Sequence, residues 1–354
     1  MDSENISYNN DGLSLTNIKK YILPRFSLEN ASVSMVKFKD SDKERAVFKV
    51  EKNNKSFCLK KIYYDEENLL FVYSAMEWLF RNNINVPKLL PSSNNNRFVL
   101  FNNMIFILTP WVEGDKCNFD NPKHVSLSCE TLGKIHRVSK NFFPIEGSAK
   151  RVSLENFHLS INKHFNQLLE NANYANNIKD KFSYLYLNNL DYNLDLAKLS
   201  LEISSTIDVN ELSTSLCHGD YVNKNIIINE NDDVFIIDFD KCKYDYSAYD
   251  ISYFLRRFLK RPNTNWDTTL TINILDNYIK ENNLTSSDFK YILAYLSFPQ
   301  KFWKLSRDYY KNIKKCNKKS FNTLLQKSLE RTSNQLEYVK NMIIILEKYY
   351  NVKF

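Results

Sequence analysis

The chain has 354 residues, of which 43% are hydrophobic and 25% charged, and its formal net charge is +7 at pH 7. This length and composition predict a soluble globular protein with a packed core, in one large or two modest domains. The charge excess is mild and the basic residues are dispersed, which disfavours a nucleic-acid partner. The sequence has no apolar run of about 18 residues, so no membrane span is expected.

The polar start of the chain lacks the apolar segment of a signal peptide, so we expect synthesis in the cytoplasm. Residues 1–12 are predicted to form a disordered N-terminus. The six cysteines include no Cys-x-x-Cys pair. We therefore expect free thiols in a reducing compartment and no zinc site.

Residues 13–109 are predicted to form a small sheet domain that carries one main helix. A short helix is predicted over residues 15–26, with Thr16 as its N-cap. Residues 65–82 place apolar side chains at helical spacing and form the main helix. Strands are predicted over residues 33–38, 46–51, 56–63, 97–101 and 104–108.

Residues 110–354 are predicted to form a mostly helical domain, and the segment 109–114 is its natural hinge. His136 is interpreted as a packed helix histidine. The amphipathic stretch 320–350 is predicted to be a helix. Its apolar face either packs on its own domain or forms the seam of a coiled-coil dimer, so the oligomeric state stays open.

The segment 217–240 carries the strongest functional pattern. Asp220 and Asn225 are five residues apart, the spacing of a kinase-type catalytic loop in which the Asp orients a hydroxyl and the Asn holds a metal. Two apolar runs follow, separated by the polar turn 229–233, and Asp238 closes the second run. This pattern predicts a β-hairpin.

The predicted hairpin brings two oxygen-bearing side chains together. If Asn229 pairs with Val234, Asn225 lies directly opposite Asp238. Directly opposed residues have Cβ atoms roughly 4.5–5.5 Å apart. A carboxamide and a carboxylate at that separation can share one Mg²⁺, which prefers oxygen ligands and brings nucleotide phosphates with it.

The residues His218-Gly219-Asp220, Asn225 and Asp238-Phe239-Asp240 match the pattern HGD-x4-N followed by DFD. The segment resembles the aminoglycoside-phosphotransferase-like kinase superfamily. From about Val33 onward the chain resembles one branch of it, the CotS-type spore coat proteins of endospore-forming bacteria. The segments behind this second resemblance are Phe57-Cys58-Leu59-Lys60, Asn85-Val86-Pro87-Lys88, residues 237–245, 249–251, 254–257 and 298–304, and Tyr309-Tyr310.

The resemblance implies an α+β, two-lobed protein-kinase-like fold, with a small antiparallel-sheet N-lobe and a larger, mostly helical C-lobe. It implies ATP and Mg²⁺ as cofactors, a small-molecule hydroxyl as the acceptor, and a place in the spore coat beside other coat proteins. Two functions stay open. One is a phosphotransferase, and the other is a catalytically inactive coat assembly protein that keeps the fold for binding.

The resemblance also assigns roles to residues of the motif. Asp220 would be the catalytic base, and Asn225 and Asp238 would be the metal ligands. Asp240 would either touch a second metal or cap a turn. Asp250 is interpreted as structural, because a carboxylate in the first turn of a helix suits its dipole.

Phosphoryl transfer also needs a cation on the nucleotide phosphates. Lys60 is the candidate, and the match to Phe-Cys-Leu-Lys selects it over Lys61. The acid that orients Lys60 is expected on the main helix. Glu77 aligns best, and Glu66 and Glu67 are the alternatives.

Two further features bear on activity. The segment 33–50 contains no glycine, although kinases commonly use glycines there to approach the phosphates. Only about ten residues separate Asp238 from the next helix, which leaves no room for an activation segment and favours a small-molecule acceptor. Lys301, Lys304 and Arg307 either face an anionic or sugar-like acceptor or lie on a solvated helix face.

Overall fold

The computed structural model describes residues 13–39 and 45–354, so the predicted disorder of residues 1–12 lies outside it. The chain divides into two compact units. The first runs to Lys116 and adds Phe142–Arg151 and Ile226–Asp240, and the second consists of Cys117–Asn141, Val152–Asn225 and Lys241–Phe354. The domain boundary expected near residue 109 stays a prediction.

The described residues contain ten strands and twelve helices. The strands are β1 Ser32–Lys39, β2 Arg45–Lys52, β3 Lys55–Lys61, β4 Val99–Phe101, β5 Met104–Pro110, β6 Asp115–Lys116, β7 Thr214–Cys217, β8 Ile226–Ile228, β9 Val234–Ile236 and β10 Lys243–Tyr246. The helices are α1 Leu15–Asn17, α2 Glu66–Arg81, α3 Pro122–Val138, α4 Phe157–Ile178, α5 Lys181–Leu187, α6 Leu190–Ser205, α7 Ser247–Leu259, α8 Thr268–Ile279, α9 Ser286–Ser297, α10 Gln300–Lys311, α11 Lys318–Leu329 and α12 Thr332–Tyr349.

The first unit is built on a five-stranded antiparallel sheet in the order β1-β2-β3-β5-β4. Its main helix, α2, begins after Asp65, whose side chain accepts a hydrogen bond from the N–H of Asn68 at 2.9 Å. Asn82 caps its other end. The predicted strands and the predicted main helix are therefore confirmed to within a few residues.

The segment before the sheet is a succession of three helical forms and not one regular helix. It passes from α1 through a π-helix at Ile18–Ile22 to a 3₁₀-helix at Leu23–Phe26. Its N-cap is Ser14, whose hydroxyl accepts from the N–H of Asn17 at 3.3 Å. The prediction of Thr16 as the cap is wrong, because α1 begins at Leu15 and Thr16 therefore lies inside the helix.

The predicted hairpin is present, but its register differs by one residue. Strands β8 and β9 pair as Ile226–Ile236, Ile227–Phe235 and Ile228–Val234. The predicted pairing of Asn229 with Val234 is therefore wrong, and with it the direct opposition of Asn225 and Asp238. The physical reason is the turn: the Asn229 carboxamide oxygen accepts from the N–H groups of Asn231 at 3.0 Å and Asp233 at 2.8 Å, so Asn229 belongs to the turn and not to the strand.

The second unit is mostly helical and contains the two-stranded β7–β10 ladder, which pairs Cys217 with Lys243. His136 on α3 is fully buried, which confirms it as a packed histidine. The stretch predicted as one C-terminal helix is two helices, α11 and α12. Helix α12 packs against α6, α8 and α9 of its own unit.

The small antiparallel sheet with its main helix and the mostly helical second unit confirm the predicted α+β class. Within the described residues, no helix is both long and apolar enough to cross a membrane.

Candidate active site

In the first unit, Lys60 lies between two carboxylates. Its ammonium is 2.6 Å from Asp238 Oδ1 and 2.7 Å from Asp240 Oδ1, and its side chain is 16% exposed. Burial on its own lowers the pKa of Lys60, but the charges of Asp240 and Asp238 and their hydrogen bonds outweigh it and raise the pKa. Lys60 is therefore a fixed positive charge at neutral pH.

Asp240 is the most buried member of this cluster, with a side chain that is 4% exposed. Tyr64 donates to Asp240 Oδ1 at 3.3 Å, and Arg151 donates to its backbone oxygen at 2.5 Å. The other carboxylate oxygen, Oδ2, lies 3.8 Å from the Arg45 guanidinium and accepts no hydrogen bond. Asp240 therefore belongs to a buried charge network, and its two expected roles, contact with a second metal or capping of a turn, stay predictions.

Asp238 has a left-handed backbone, with φ of +68°. An L-residue other than glycine adopts this conformation at a cost of roughly 1–2 kcal/mol. Asp238 and Asp240 are two residues apart in the turn that follows β9, and both carboxylates form ion pairs with the Lys60 ammonium. Backbone strain that aims two carboxylates at one point is typical of a functional site.

The cluster suits a divalent cation in its chemistry. Mg²⁺ takes oxygen ligands, and carboxylates are the ligands it prefers. The Asp240 Oδ2 atom is a buried carboxylate oxygen with no hydrogen bond, a group that a cation would satisfy. Asp238 and Asp240 therefore fit a metal site.

Glu77, the predicted orienting acid, forms an ion pair with Arg81 one turn along α2, at 3.6 Å. The carboxylates on Lys60 in this structure are those of Asp238 and Asp240. Lys61 is buried at its strand position. Both the Lys60–Glu77 pair and the choice of Lys60 over Lys61 for nucleotide binding stay predictions.

In the second unit, the loop that carries Asp220 is held by Asp250 at the start of α7. The Asp250 carboxylate accepts from the backbone N–H of His218 at 2.5 Å and from that of Gly219 at 2.9 Å. Within the loop, the N–H of Asp220 donates to His218 Nδ1 at 3.2 Å. The role expected for Asp250 was only electrostatic, so sequence reasoning missed its direct hold on this loop.

Asp250 is fully buried, and a histidine lies beside it. His136 Nε2 is 3.6 Å from Asp250 Oδ2, and the hydroxyl of Tyr278 shares a hydrogen bond with His136 Nδ1 at 2.8 Å. Burial raises the pKa of Asp250, but His136, together with the charge and backbone N–H of His218, lowers it, and the net shift is downward. An ionised carboxylate therefore organises the loop.

Gly219 is required by the shape of this loop. Its φ is +74°, and a Cβ built there would lie 2.4 Å from the carbonyl oxygen of Lys241. That separation is far below any real contact. The backbone of Lys241 passes so close to Gly219 that no other residue fits.

The Asp220 carboxylate, 12% exposed, is flanked by two lysines. Lys241 Nζ lies 3.4 Å and Lys224 Nζ 3.6 Å from its Oδ2 atom. Asn225 is buried, and its amide nitrogen donates to the backbone oxygen of Asp220 at 2.9 Å. Because the nitrogen makes this bond, the carboxamide oxygen is the atom suited to a cation.

The segment 298–310 was open to two interpretations. Phe302 and Leu305 of α10 are buried, while Lys301 and Lys304 are exposed. Arg307 pairs with the adjacent Asp308 and stacks on the Trp303 ring at 4.5 Å. This helix is held by apolar packing and turns its lysines to solvent.

Each unit contributes a distinct group of charged side chains. The first unit presents an ammonium with carboxylates that fit a cation, and the second presents a carboxylate on a clamped loop. Arg45, Tyr64 and Arg151 were missed, because only the fold shows that they surround Asp240.

Comparison with known proteins places the chain among phosphotransferases. The profile of the phosphotransferase enzyme family (APH) matches residues 35–287. The chain is also 21% identical over 292 residues to Spore coat protein S of Bacillus subtilis (strain 168), across 80% of this chain and 82% of that protein. Both resemblances expected from the sequence are confirmed.

Solved structures share the fold. An aminoglycoside phosphotransferase from Alicyclobacillus acidocaldarius subsp. acidocaldarius DSM 446 superposes with a TM-score of 0.76 at 18% identity, across 92% of this chain and 95% of that one. Amicoumacin kinase in complex with AMP-PNP, Ca²⁺ and Ami has a TM-score of 0.61 at 15% identity, across 92% and 94%. The predicted kinase-like fold is therefore confirmed.

Proposed function

Since the chain belongs to the phosphotransferase enzyme family, we propose that it transfers the terminal phosphoryl group of ATP, with Mg²⁺, to a hydroxyl of a small molecule. The observation that carries the proposal is the partly buried Lys60 ammonium held by Asp238 and Asp240. A positive charge and cation-binding carboxylates are the parts that phosphoryl transfer needs on the nucleotide side.

On the nucleotide side, Lys60 would bind phosphate oxygens. Its ammonium has three donors, so it can exchange an aspartate oxygen for a phosphate oxygen and remain hydrogen-bonded. Asn225 and Asp238 are the proposed metal ligands, and Asp240 would add a further carboxylate beside the same cation. When bound, Mg²⁺ would neutralise the phosphate oxygens and help to hold them in line.

On the acceptor side, Asp220 would accept a hydrogen bond from the acceptor hydroxyl and orient it. As the hydroxyl oxygen bonds to the terminal phosphorus and the bond from phosphorus to the ADP oxygen breaks, the hydroxyl proton passes to Asp220. Asp250 would hold the backbone of the loop while Lys224 and Lys241 limit the motion of the Asp220 carboxylate.

A second function is supported by other features. The chain is similar to a spore coat protein. The segment 33–50 has no glycine for close approach to phosphates, and the ammonium of Lys60 is already neutralised by two carboxylates. These features favour a coat assembly protein that keeps the kinase fold without turnover, bound to other coat proteins.

MgATP binding separates the two functions. A ligand at 100 times its Kd stabilises the fold by roughly 2.7 kcal/mol, so saturating MgATP should raise the melting temperature by several degrees. Turnover is then sought with a panel of sugars, polyols and amino alcohols. Binding together with phosphorylation of an acceptor supports the enzyme. Failure to bind MgATP contradicts it and favours the assembly protein, whose own test is recovery of the chain in coat extracts.

A further inference from the structure

A cavity of about 320 Å³ in the second unit adjoins the Asp220 loop. Asn223, a member of the loop three residues after Asp220, lines the cavity. Three residues span at most about 11 Å of chain, so a small molecule in the cavity lies within reach of the loop. The polar side chains around it come from two other segments and are Asn118, Asp120, Arg257, Lys260 and Arg261.

The charged groups of this cavity do not balance. Asp120 is engaged by Arg261 and accepts from Asn263 at 2.9 Å, and these hydrogen bonds lower the pKa of Asp120. Arg257 instead donates to the Tyr253 hydroxyl at 2.9 Å. Among the residues that the structure describes, neither Arg257 nor Lys260 has a carboxylate within ion-pair distance. One acid therefore faces three bases.

An ammonium in the cavity wall would gain from an anion. Partial loss of hydration and the like charges of Arg257, Arg256 and Lys301 lower the pKa of Lys260 to about 8, although its side chain as a whole is exposed. An ammonium that is repelled by its neighbours is stabilised by a bound anion.

The positive charge extends to the proposed catalytic residue. Lys224 and Lys241, each about half exposed, lie 3.6 and 3.4 Å from Asp220. Both can interact with a ligand there because both side chains reach solvent. The approach to Asp220 within the second unit is therefore basic.

Another cavity of this unit, of about 220 Å³, offers a different chemistry. Its charged lining residues balance, because Glu155 and Asp245 stand against Lys243 and Arg256. Lys243 pairs with Asp245 at 2.7 Å, and Arg256 donates to the Tyr295 hydroxyl at 2.8 Å. Among the described residues that line it, two acids face two bases, so this cavity offers an anionic acceptor no excess of positive charge.

We propose that the acceptor is an anionic hydroxyl compound of the sugar or polyol phosphate class. Its anionic group binds Arg257, Lys260 and Arg261, and its hydroxyl lies at Asp220. This inference rests on the proposed phosphotransferase function. It gives this chain a preference opposite to that expected for aminoglycosides, which carry several ammonium groups and would be repelled here.

Three compounds of similar size test the charge preference: D-glucose 6-phosphate, D-glucose and D-glucosamine. Each is titrated into the full chain without nucleotide. Binding of glucose 6-phosphate at least tenfold tighter than of the other two is the expected result, and it should weaken at high salt. Equal or tighter binding of glucose or glucosamine overturns the proposal.

The variant Arg257→Gln with Lys260→Gln tests the place of binding. Both side chains are exposed, so the variant should fold. Its affinity for glucose 6-phosphate is expected to fall at least tenfold, while Arg257→Lys retains most of it. The matched control, Lys314→Gln with Lys315→Gln, removes the same charge from exposed positions outside the cavity and should bind as the wild type does. An unchanged affinity in the first variant overturns the proposal.

The outcomes separate this inference from the phosphotransferase itself. If the wild type phosphorylates a neutral or cationic acceptor and Arg257→Gln with Lys260→Gln does so equally well, the enzyme stands and the anionic acceptor is wrong. If glucose 6-phosphate binds at these residues but MgATP does not bind, the anion site stands and the phosphotransferase fails.

Discussion

The Asp250 carboxylate accepts a hydrogen bond from the backbone N–H of His218 at 2.5 Å. The substitution Asp250→Asn should destabilise the fold by about 2–4 kcal/mol. The two backbone N–H groups donate to the two different oxygens of the carboxylate, whereas a carboxamide has a single oxygen and leaves one N–H facing its own NH2 group. Thermal unfolding measures the loss. Turnover should fall further than the remaining folded fraction explains, with MgATP affinity little changed.

The matched control for this variant is Asp267→Asn. Asp267 caps α8 by accepting from the N–H of Leu270 at 2.9 Å, and asparagine caps as well as aspartate. The free energy of unfolding of the Asp267→Asn variant should differ from that of the wild type by less than about 0.5 kcal/mol. Equal effects of the two substitutions would contradict the clamping role of Asp250.

Gly219→Ala should be far more damaging than Gly147→Ala. Both glycines have positive φ, at +74° and +82°, so both substitutions incur the left-handed strain of about 1 kcal/mol. Only at Gly219 does the new Cβ meet backbone, at 2.4 Å from the Lys241 oxygen, whereas at Gly147 the nearest atom is a Leu70 methyl group at 3.7 Å. Denaturant unfolding should show a loss of about 3 kcal/mol or more for Gly219→Ala and about 1 kcal/mol for Gly147→Ala.

Lys60→Met should weaken MgATP binding at least tenfold, because it removes the ammonium and keeps most of the apolar stem. Calorimetric titration at low temperature measures the affinity on folded protein. Lys55→Met, on the exposed start of β3, is the control and should bind normally. If Lys61→Met loses as much affinity as Lys60→Met or more, the choice of lysine is wrong.

Asp220→Asn should abolish turnover while MgATP binds nearly as in the wild type. Positioned acid–base groups contribute roughly 10²–10⁴ in rate, and the substitution is close to isosteric. Asp233→Asn, at an exposed position in the β8–β9 turn, controls for the loss of one carboxylate. Equal rates for the wild type and Asp220→Asn would remove Asp220 from the mechanism.

His164 should make the fold sensitive to mild acid. Burial, with smaller contributions from Lys163 and Arg307, lowers the pKa of His164 from its usual 6.5 to about 4. Between these two pH values the unfolded chain binds more protons than the folded one, so the free energy of unfolding falls as pH falls from 6.5 towards 4.

His164→Phe keeps a ring against Trp303, whose centroid lies 3.9 Å from that of His164, and removes the titration. From pH 7 to pH 5 the variant should lose about 1–2 kcal/mol less stability than the wild type. Urea unfolding at the two pH values measures this difference. Identical losses in both proteins would show that His164 does not cause the acid sensitivity.

The elements that were predicted well have local signals. Helix α2 has its cap, its apolar period and its end within residues 65–82, and the strands of the first sheet alternate with clear turns. The hairpin register was not predictable in the same way. Whether Asn229 ends a strand or closes the turn depends on hydrogen bonds to Asn231 and Asp233, and shifting the pairing by one residue satisfies the same apolar pattern.

The candidate site was predictable only where its residues lie in one motif. Asp220, Asn225 and Asp238 share a short segment with diagnostic spacing. The hold of Asp250 on the loop comes from a helix 30 residues later, and the Lys60 ammonium meets Asp240 across 180 residues of chain. Such contacts arise from tertiary packing, which leaves no periodic trace in the sequence.

Under the proposed function, the position of Lys60 between Asp238 and Asp240 would make the binding of nucleotide and the binding of metal interdependent. If the ammonium turns to phosphate, two carboxylates lose their counter-charge, and a divalent cation restores it. Each of the two proposed ligands would therefore prepare the protein for the other, and by thermodynamic reciprocity the gain in affinity would be the same in both directions. ATP without a divalent cation, or the cation without ATP, should bind this chain weakly.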